Sequence, residues 1–329
     1  MKRIILSLAA LAASFSITAQ TRTGVVDLSA AYVRSEPNSA SSLETQLLMG
    51  SVVEILGSED SWLQIRSHTP EYTGWVNGMT VFEMSQEETE AYLESSKYIC
   101  TTEHTFLYER PALQSARVTD LVMGDLLCRI GSESDVLKTI REVAFIKVQT
   151  PSGKTGYVKT SEVTDFSTWA GDVQASGKSV LQVAELMIGM PYVWGGNTTN
   201  GVDCSGLAWL SYFMNGIILP RNASEQALCG VEVPLPALQK GDLLFFGTKA
   251  DGDEPEKITH VAIYEGEATI IQSSFLVRKN SLDPSDATYY DREVLHARRI
   301  LGHVDDGTGA VSVKSSPWFF YKPGMSGLK

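Results

Sequence analysis

A chain of 329 residues with 43% hydrophobic side chains is long enough for two or three domains, each with its own core. Its 39 acidic side chains against 27 basic ones give a formal net charge of −12, and no block of lysines and arginines interrupts that balance. Nucleic acid is therefore set aside as a partner, because binding its backbone requires a basic surface that displaces counterions.

Met1-Lys2-Arg3, the apolar stretch Ile4 to Ala13 and the exit Ile17-Thr18-Ala19-Gln20 have the layout of an export signal, so residues 1–20 are expected to be removed from a periplasmic or secreted protein. That stretch is too short to span a bilayer and no later one reaches the length, so no stable membrane anchor is expected. No cysteine follows the signal to carry a lipid.

The chain then repeats itself. Tyr32-Val33-Arg34-Ser35-Glu36-Pro37 answers Leu107-Tyr108-Glu109-Arg110-Pro111, and Gly50 answers Gly124, with glycine and proline at an offset of 74. Trp62-Leu63-Gln64-Ile65 answers Phe145-Ile146-Lys147-Val148 and Gly74-Trp75-Val76 answers Gly156-Tyr157-Val158 at a larger offset, which places an insertion within about Gly131 to Glu142. Short alternating strands such as Val52 to Leu56, separated by turn residues, predict two small all-β barrels over residues 21–84 and 98–166. A polar helical linker is expected over 85–97, and the barrels are read as wall-attachment modules or plain spacers.

After a second linker, residues 167–178, the pattern changes. Val180, Val183, Ala184 and Met187 fall at helical spacing, and Gly189 and Pro191 end that helix. A loop rich in glycine and asparagine leads to a second helix starting at Cys204, with Leu207, Leu210 and Met214 in its apolar positions. A short helix from about Asn222 and the buried strand Asp242 to Phe246 follow, so residues 179–305 are expected to form an α+β domain. The tail, residues 306–329, has no assignable pattern.

A thiol at a helix start sits where the dipole and free N–H groups favour thiolate, so the Cys204 pKa is expected to be lowered. His260 opens the strand Val261-Ala262-Ile263-Tyr264, and Thr269-Ile270-Ile271-Gln272 returns after the turn Glu265-Gly266-Glu267. A hairpin centred on Gly266 places Gln272 directly opposite His260, on one face of the sheet. Nucleophile, base and orienting amide together are the chemistry of a cysteine hydrolase, whereas a single cysteine or histidine is more often structural. Asp203 opposes this, since its charge raises a neighbouring thiol; it either caps the helix or binds a cation on the substrate. Cys100 and Cys128 are either a disulfide or small core residues, and Cys229 reads as buried filler. No cysteine pair has zinc-site spacing and the five histidines are scattered, so no metal and no cofactor are expected.

Two resemblances join these observations. The arginine before a proline-bearing turn, the glycine-led strand and the Gly-Trp-Val strand resemble bacterial SH3-like domains across residues 24–165. The runs Gly189 to Gly196, Asp203-Cys204-Ser205-Gly206, Pro220-Arg221, Lys240-Gly241-Asp242-Leu243 and His260 to Tyr264 resemble the NlpC-type cell-wall peptidases, a papain-like group, over about residues 180–303. The implied architecture is an α+β papain-like catalytic domain preceded by two SH3-like barrels. The implied activity is hydrolysis of the γ-D-glutamyl–L-diamino acid bond of peptidoglycan stem peptides, with Cys204 as nucleophile, His260 as base and Gln272 as third polar residue. Similar enzymes usually carry histidine at that third position.

By the same resemblance Asp203 contacts the free amine of an N-terminal L-alanine, which implies L-Ala-γ-D-Glu-diamino acid peptides as substrates. Glu44 and Tyr72, from the first barrel, would close that end of the cleft, Tyr192 and Ser205 would line it, and Arg221 would brace its loop. The rival expectations are a wall-binding protein weakened at Gln272, and a Cys-His amidase or acyltransferase acting on another substrate.

Overall fold

The computed structural model describes residues 22–131, 136–138 and 143–321. The expected export signal and most of the insertion lie outside these residues. Residues 22–84 form a seven-stranded antiparallel sheet in the order 43–48, 30–34, 71–77, 62–68, 52–59, 22–26, 81–84. Residues 97–165 repeat that order strand for strand, and the one addition, Leu137–Lys138, pairs with Ala144–Gln149 at the insertion. The alternation is simple: Leu63, Ile65 and Ser67 point inward from one strand while Gln64 and Arg66 do not. The repeated glycines are required by backbone shape, since Gly50 and Gly124 adopt φ of +91° and +95°.

Between the sheets runs the helix Gln86–Glu94, opened by a reciprocal Ser85–Glu88 cap. The buried Lys97 ammonium closes it by donating to the carbonyls of Tyr92, Leu93 and Ser95.

The barrels are not free spacers. Asp125 of the second accepts the backbone N–H of Met49 of the first at 2.9 Å, and Asp27 of the first accepts from Ser152 and Lys154 of the second. Leu48, Ile99, Val122, Met123 and Leu126 then enter the same apolar core as the cysteine helix. This docking goes beyond plain spacing and brings the first barrel, with Glu44 and Tyr72, against the rest of the chain.

The third region is α+β. Its six-stranded sheet has the order 231–232, 294–299, 243–248, 257–266, 269–274, 276–281. Leu243, Phe245, Val261, Ile263 and Ile271 face the helices, while Leu244, Phe246, Ala262, Ile270 and Ala297 build a smaller core on the opposite face. The helix Cys204–Phe213 is buried from Ser205 to Phe213, so it is apolar all round and not along one stripe. The helix Gly177–Leu186, the sheet and the second barrel each take one of its sides.

The tail is ordered as far as it is described. Val311–Ser312 pair with Ile217–Ile218, Phe320 stacks on Phe166 at 5.0 Å, and Trp318 lies flat against His68 at 3.9 Å. Cys100, Cys128, Cys204 and Cys229 are all free thiols, so the Cys100–Cys128 disulfide is not formed. Cys100 sits in the core of the second barrel, whereas Cys128 faces the linker helix.

Candidate active site

Asp203 has extended backbone angles and caps the helix, its Oδ1 accepting the Gly206 N–H at 2.7 Å. Cys204 is thus the first helical residue, with an N–H that has no backbone acceptor among the described residues. Gly206 is fixed by contact, since a Cβ there would lie 2.0 Å from the Gly196 carbonyl oxygen. The glycine-rich loop can therefore close over the helix start. Ser273 Oγ donates to the Val202 carbonyl at 2.9 Å and ties the strand of Gln272 to the same point.

Cys204, His260 and Tyr192 line one cleft of about 400 Å³, together with Thr259, Ser273, Ser274, Phe275, Tyr290 and Arg292. The structure corrects the register of the hairpin. Ile263 pairs with Ile271 and Tyr264 with Ile270, which continued along the strands sets Ala262, not His260, opposite Gln272. A shift of two residues leaves the facing unchanged, so Gln272 reaches the imidazole from a diagonal position. The cause is the irregular turn, where Gly266 pairs with Thr269 and Glu267 and Ala268 have positive φ.

His260 Nε2 and Gln272 Oε1 are both buried with no hydrogen-bond partner of ordinary geometry among the described residues, and the Gln272 side chain is near enough to act on the imidazole. Gln272 Nε2 donates to Asn280 Oδ1 at 2.8 Å, and Asn280 Nδ2 donates to the Thr288 carbonyl at 2.7 Å. The amide can present only its oxygen to the ring. An acceptor there keeps the proton on Nε2 and leaves the Nδ1 lone pair for the thiol. Burial lowers the His260 pKa to about 4, against the Gln272 amide, which raises it; Arg292 adds to the lowering and Asp203 opposes it.

The thiol corrects a second expectation. Burial, then the Asp203 charge, push Cys204 up to about 11, and N–H groups of Val261 and Ser205 with the Arg221 guanidinium only partly counter them. Burial thus favours the neutral form of both the thiol and the imidazole. Burial likewise raises Tyr192, with Cys204 and Asp203 adding to it.

Asp203 and Ser205 are buried behind the cleft around Arg221, which is 1% exposed. Arg221 donates Nη1 and Nη2 to the two Asp203 oxygens at 3.1 and 2.6 Å, Nη1 to Ser205 Oγ, and Nε to Thr45 Oγ1 of the first barrel. Gly195 N–H and Ser205 Oγ also donate to Asp203. Ser205 therefore does not line the cleft as expected, because its hydroxyl is held in this network. Glu44 and Tyr72 lie together on the first barrel, with Tyr72 Oη donating to Glu44 Oε2 at 2.9 Å. Burial and then Glu44 push Tyr72 up to about 12, so the phenol stays a donor, and Arg221 lies close enough to lower it in part. A reciprocal exchange brings this barrel to the cleft: Asn197 Oδ1 accepts the Gln46 N–H at 2.8 Å, and Gln46 Oε1 accepts the Asn197 N–H at 3.1 Å.

Comparison with known proteins supplies the family of the domain that carries this cleft. The NlpC/P60 family model matches residues 189–299. Residues 189–299 belong to the NlpC/P60 family. The bacterial SH3 domain model matches residues 29–81 ahead of the NlpC/P60 domain. The chain is 28% identical over 260 residues to dipeptidyl-peptidase 6 of Lysinibacillus sphaericus, covering 77% of this chain and 89% of that one. It is 26% identical over 270 residues to the gamma-D-glutamyl-L-lysine dipeptidyl-peptidase of Bacillus cereus, covering 80% and 76%. The crystal structure of an NlpC/P60 family protein from Bacillus cereus shares the fold, with a TM-score of 0.69 at 23% identity over 85% of this chain and 99% of that one. The protein carrying this domain is a cysteine peptidase.

Sequence reasoning missed Asn280, Tyr290 and Arg292. Each reaches the site only through strand pairing and a loop, and none belongs to a motif.

Proposed function

We propose that this peptidase hydrolyses the γ-D-glutamyl–L-diamino acid bond of peptidoglycan stem peptides that begin with a free L-alanine. The observation that carries this is the shared cleft of Cys204 and His260, with the Gln272 amide near enough to act on the ring. The names of the relatives from Lysinibacillus and Bacillus support the substrate class.

Cys204 attacks the γ-glutamyl carbonyl as its proton passes to His260 Nδ1. The Cys204 N–H faces the developing oxyanion, a donor of the kind worth roughly 3 kcal/mol of barrier. His260 then protonates the leaving amine and activates water to release the acyl group. At the other end, Asp203 is saturated by Arg221 and its neighbours, whereas Glu44 accepts only the Tyr72 hydroxyl among the described residues. Glu44 is thus the carboxylate with capacity for an ammonium, and Asp203 acts through Arg221.

Incubation with L-Ala-γ-D-Glu-L-Lys is expected to release lysine, with Cys204→Ala inactive and the N-acetylated peptide a poor substrate. Equal rates for wild type and Cys204→Ala would refute the peptidase reading, and equal rates for free and acetylated peptides would refute the amine contact. Export rests on the Met1 to Gln20 pattern and belongs to the same reading; amino-terminal sequencing of the mature protein tests it.

A further inference from the structure

One charge in the cleft is left over by this mechanism. Arg292 lines the same cleft as Cys204 and His260, carried by the loop between the strands Leu276–Ser281 and Val294–Arg299. Its side chain is exposed, with the guanidinium carbon 5.9 Å from the Tyr290 ring centroid. It forms no ion pair with any described residue, and the adjacent Glu293 is taken by Lys249 at 2.6 Å. In a chain with 39 acidic side chains against 27 basic ones, an arginine without a carboxylate beside the base needs a reason.

The cost of this placement is specific. A cation next to His260 opposes the imidazolium that must form as the thiol attacks. An anion arriving with the substrate would cancel that opposition. We propose that Arg292 is a carboxylate-binding residue of the cleft, which engages a substrate carboxylate next to the scissile amide and so couples recognition to activation of the base. This rests on the peptidase reading above. Two carboxylates of the proposed substrate have the right chemistry: the α-carboxylate of the γ-glutamyl residue, and that of the diamino acid, two bonds from the scissile nitrogen.

The first test needs no peptide turnover. Cys204 alkylation by iodoacetate, an anion, is compared with alkylation by neutral iodoacetamide in wild type, Arg292→Gln and Arg292→Lys. Arg292→Gln is expected to lower the iodoacetate-to-iodoacetamide rate ratio about tenfold, the ratio cancelling any change in base strength that both reagents share, and Arg292→Lys to restore most of it. An unchanged ratio overturns the proposal.

The second test measures kcat/KM on L-Ala-γ-D-Glu-L-Lys, on its γ-D-isoglutaminyl analogue and on its C-terminal lysine amide. Wild type is expected to lose about tenfold on one amidated peptide, and Arg292→Gln to lose that discrimination, which identifies the carboxylate. If Arg292→Gln keeps the wild-type preferences, the substrate contact is overturned. A ratio that falls in the first test while wild type cleaves none of the three peptides upholds the anion site and overturns the peptidase reading.

Discussion

Replacing Asn280 by alanine removes the acceptor that fixes the Gln272 amide and touches none of the reacting groups. With its NH2 held by Asn280, the Gln272 amide has only its oxygen to offer the His260 ring, which keeps the proton on Nε2 and leaves Nδ1 to take the thiol proton. If the amide turns over, its NH2 faces Nε2, the ring proton moves to Nδ1, and the base is blocked. Gln272 is fully buried, so leaving its Nε2 without an acceptor costs roughly 1–3 kcal/mol. That energy holds the productive orientation, and its loss corresponds to a fall in kcat of roughly 5- to 150-fold with KM unchanged. Asn280→Asp keeps an acceptor for Gln272 while losing the donation to Thr288, and is expected to stay within about threefold of wild type. Steady-state kinetics on L-Ala-γ-D-Glu-L-Lys read both variants. If Asn280→Ala keeps wild-type kcat, the amide chain does not set the ring tautomer and the reasoning fails.

Three further outcomes follow from the same geometry. His260 titrates at about 4 in the fold against 6.5 when unfolded, so the unfolded chain binds more protons between those values; stability present above pH 6.5 falls by about 3 kcal/mol toward pH 4, and urea melts of His260→Gln should lack that slope. Arg221→Met leaves the Asp203 carboxylate buried without its cation and is expected to cost roughly 3–5 kcal/mol in urea unfolding, with Asp203→Asn recovering part of it; a cost below about 1 kcal/mol contradicts the network. Gln272→His is expected to change kcat/KM by less than about tenfold, because a neutral ring can also accept from Nε2; appearance of activity where wild type has none would mark Gln272 as the lesion of a binding protein.

The parts of the fold legible in the sequence are those fixed by local pattern. The repeat, the capped cysteine helix and the hairpin after His260 each carry their signal within a few residues. The register failed because Gly266, Glu267 and Ala268 make a turn whose irregularity no residue count reveals. The thiol's direction failed for another reason. A helix start is visible in sequence, but the burial that outweighs it comes from strands and barrels far along the chain. Arg221 was legible as a brace, yet its reach to Thr45, across 176 positions, was not.

The carboxyl-terminal strand has a consequence for how the enzyme is made. Val311–Ser312 seal the segment just beyond the cysteine helix, and Phe319 and Phe320 cover Phe166 beside it. A nascent chain that has already delivered its thiol, imidazole and amide still lacks this clasp. Translation must run past Phe320 before the catalytic helix is locked, and a stop codon after Asp305 would leave every reacting group present in a scaffold that is still open.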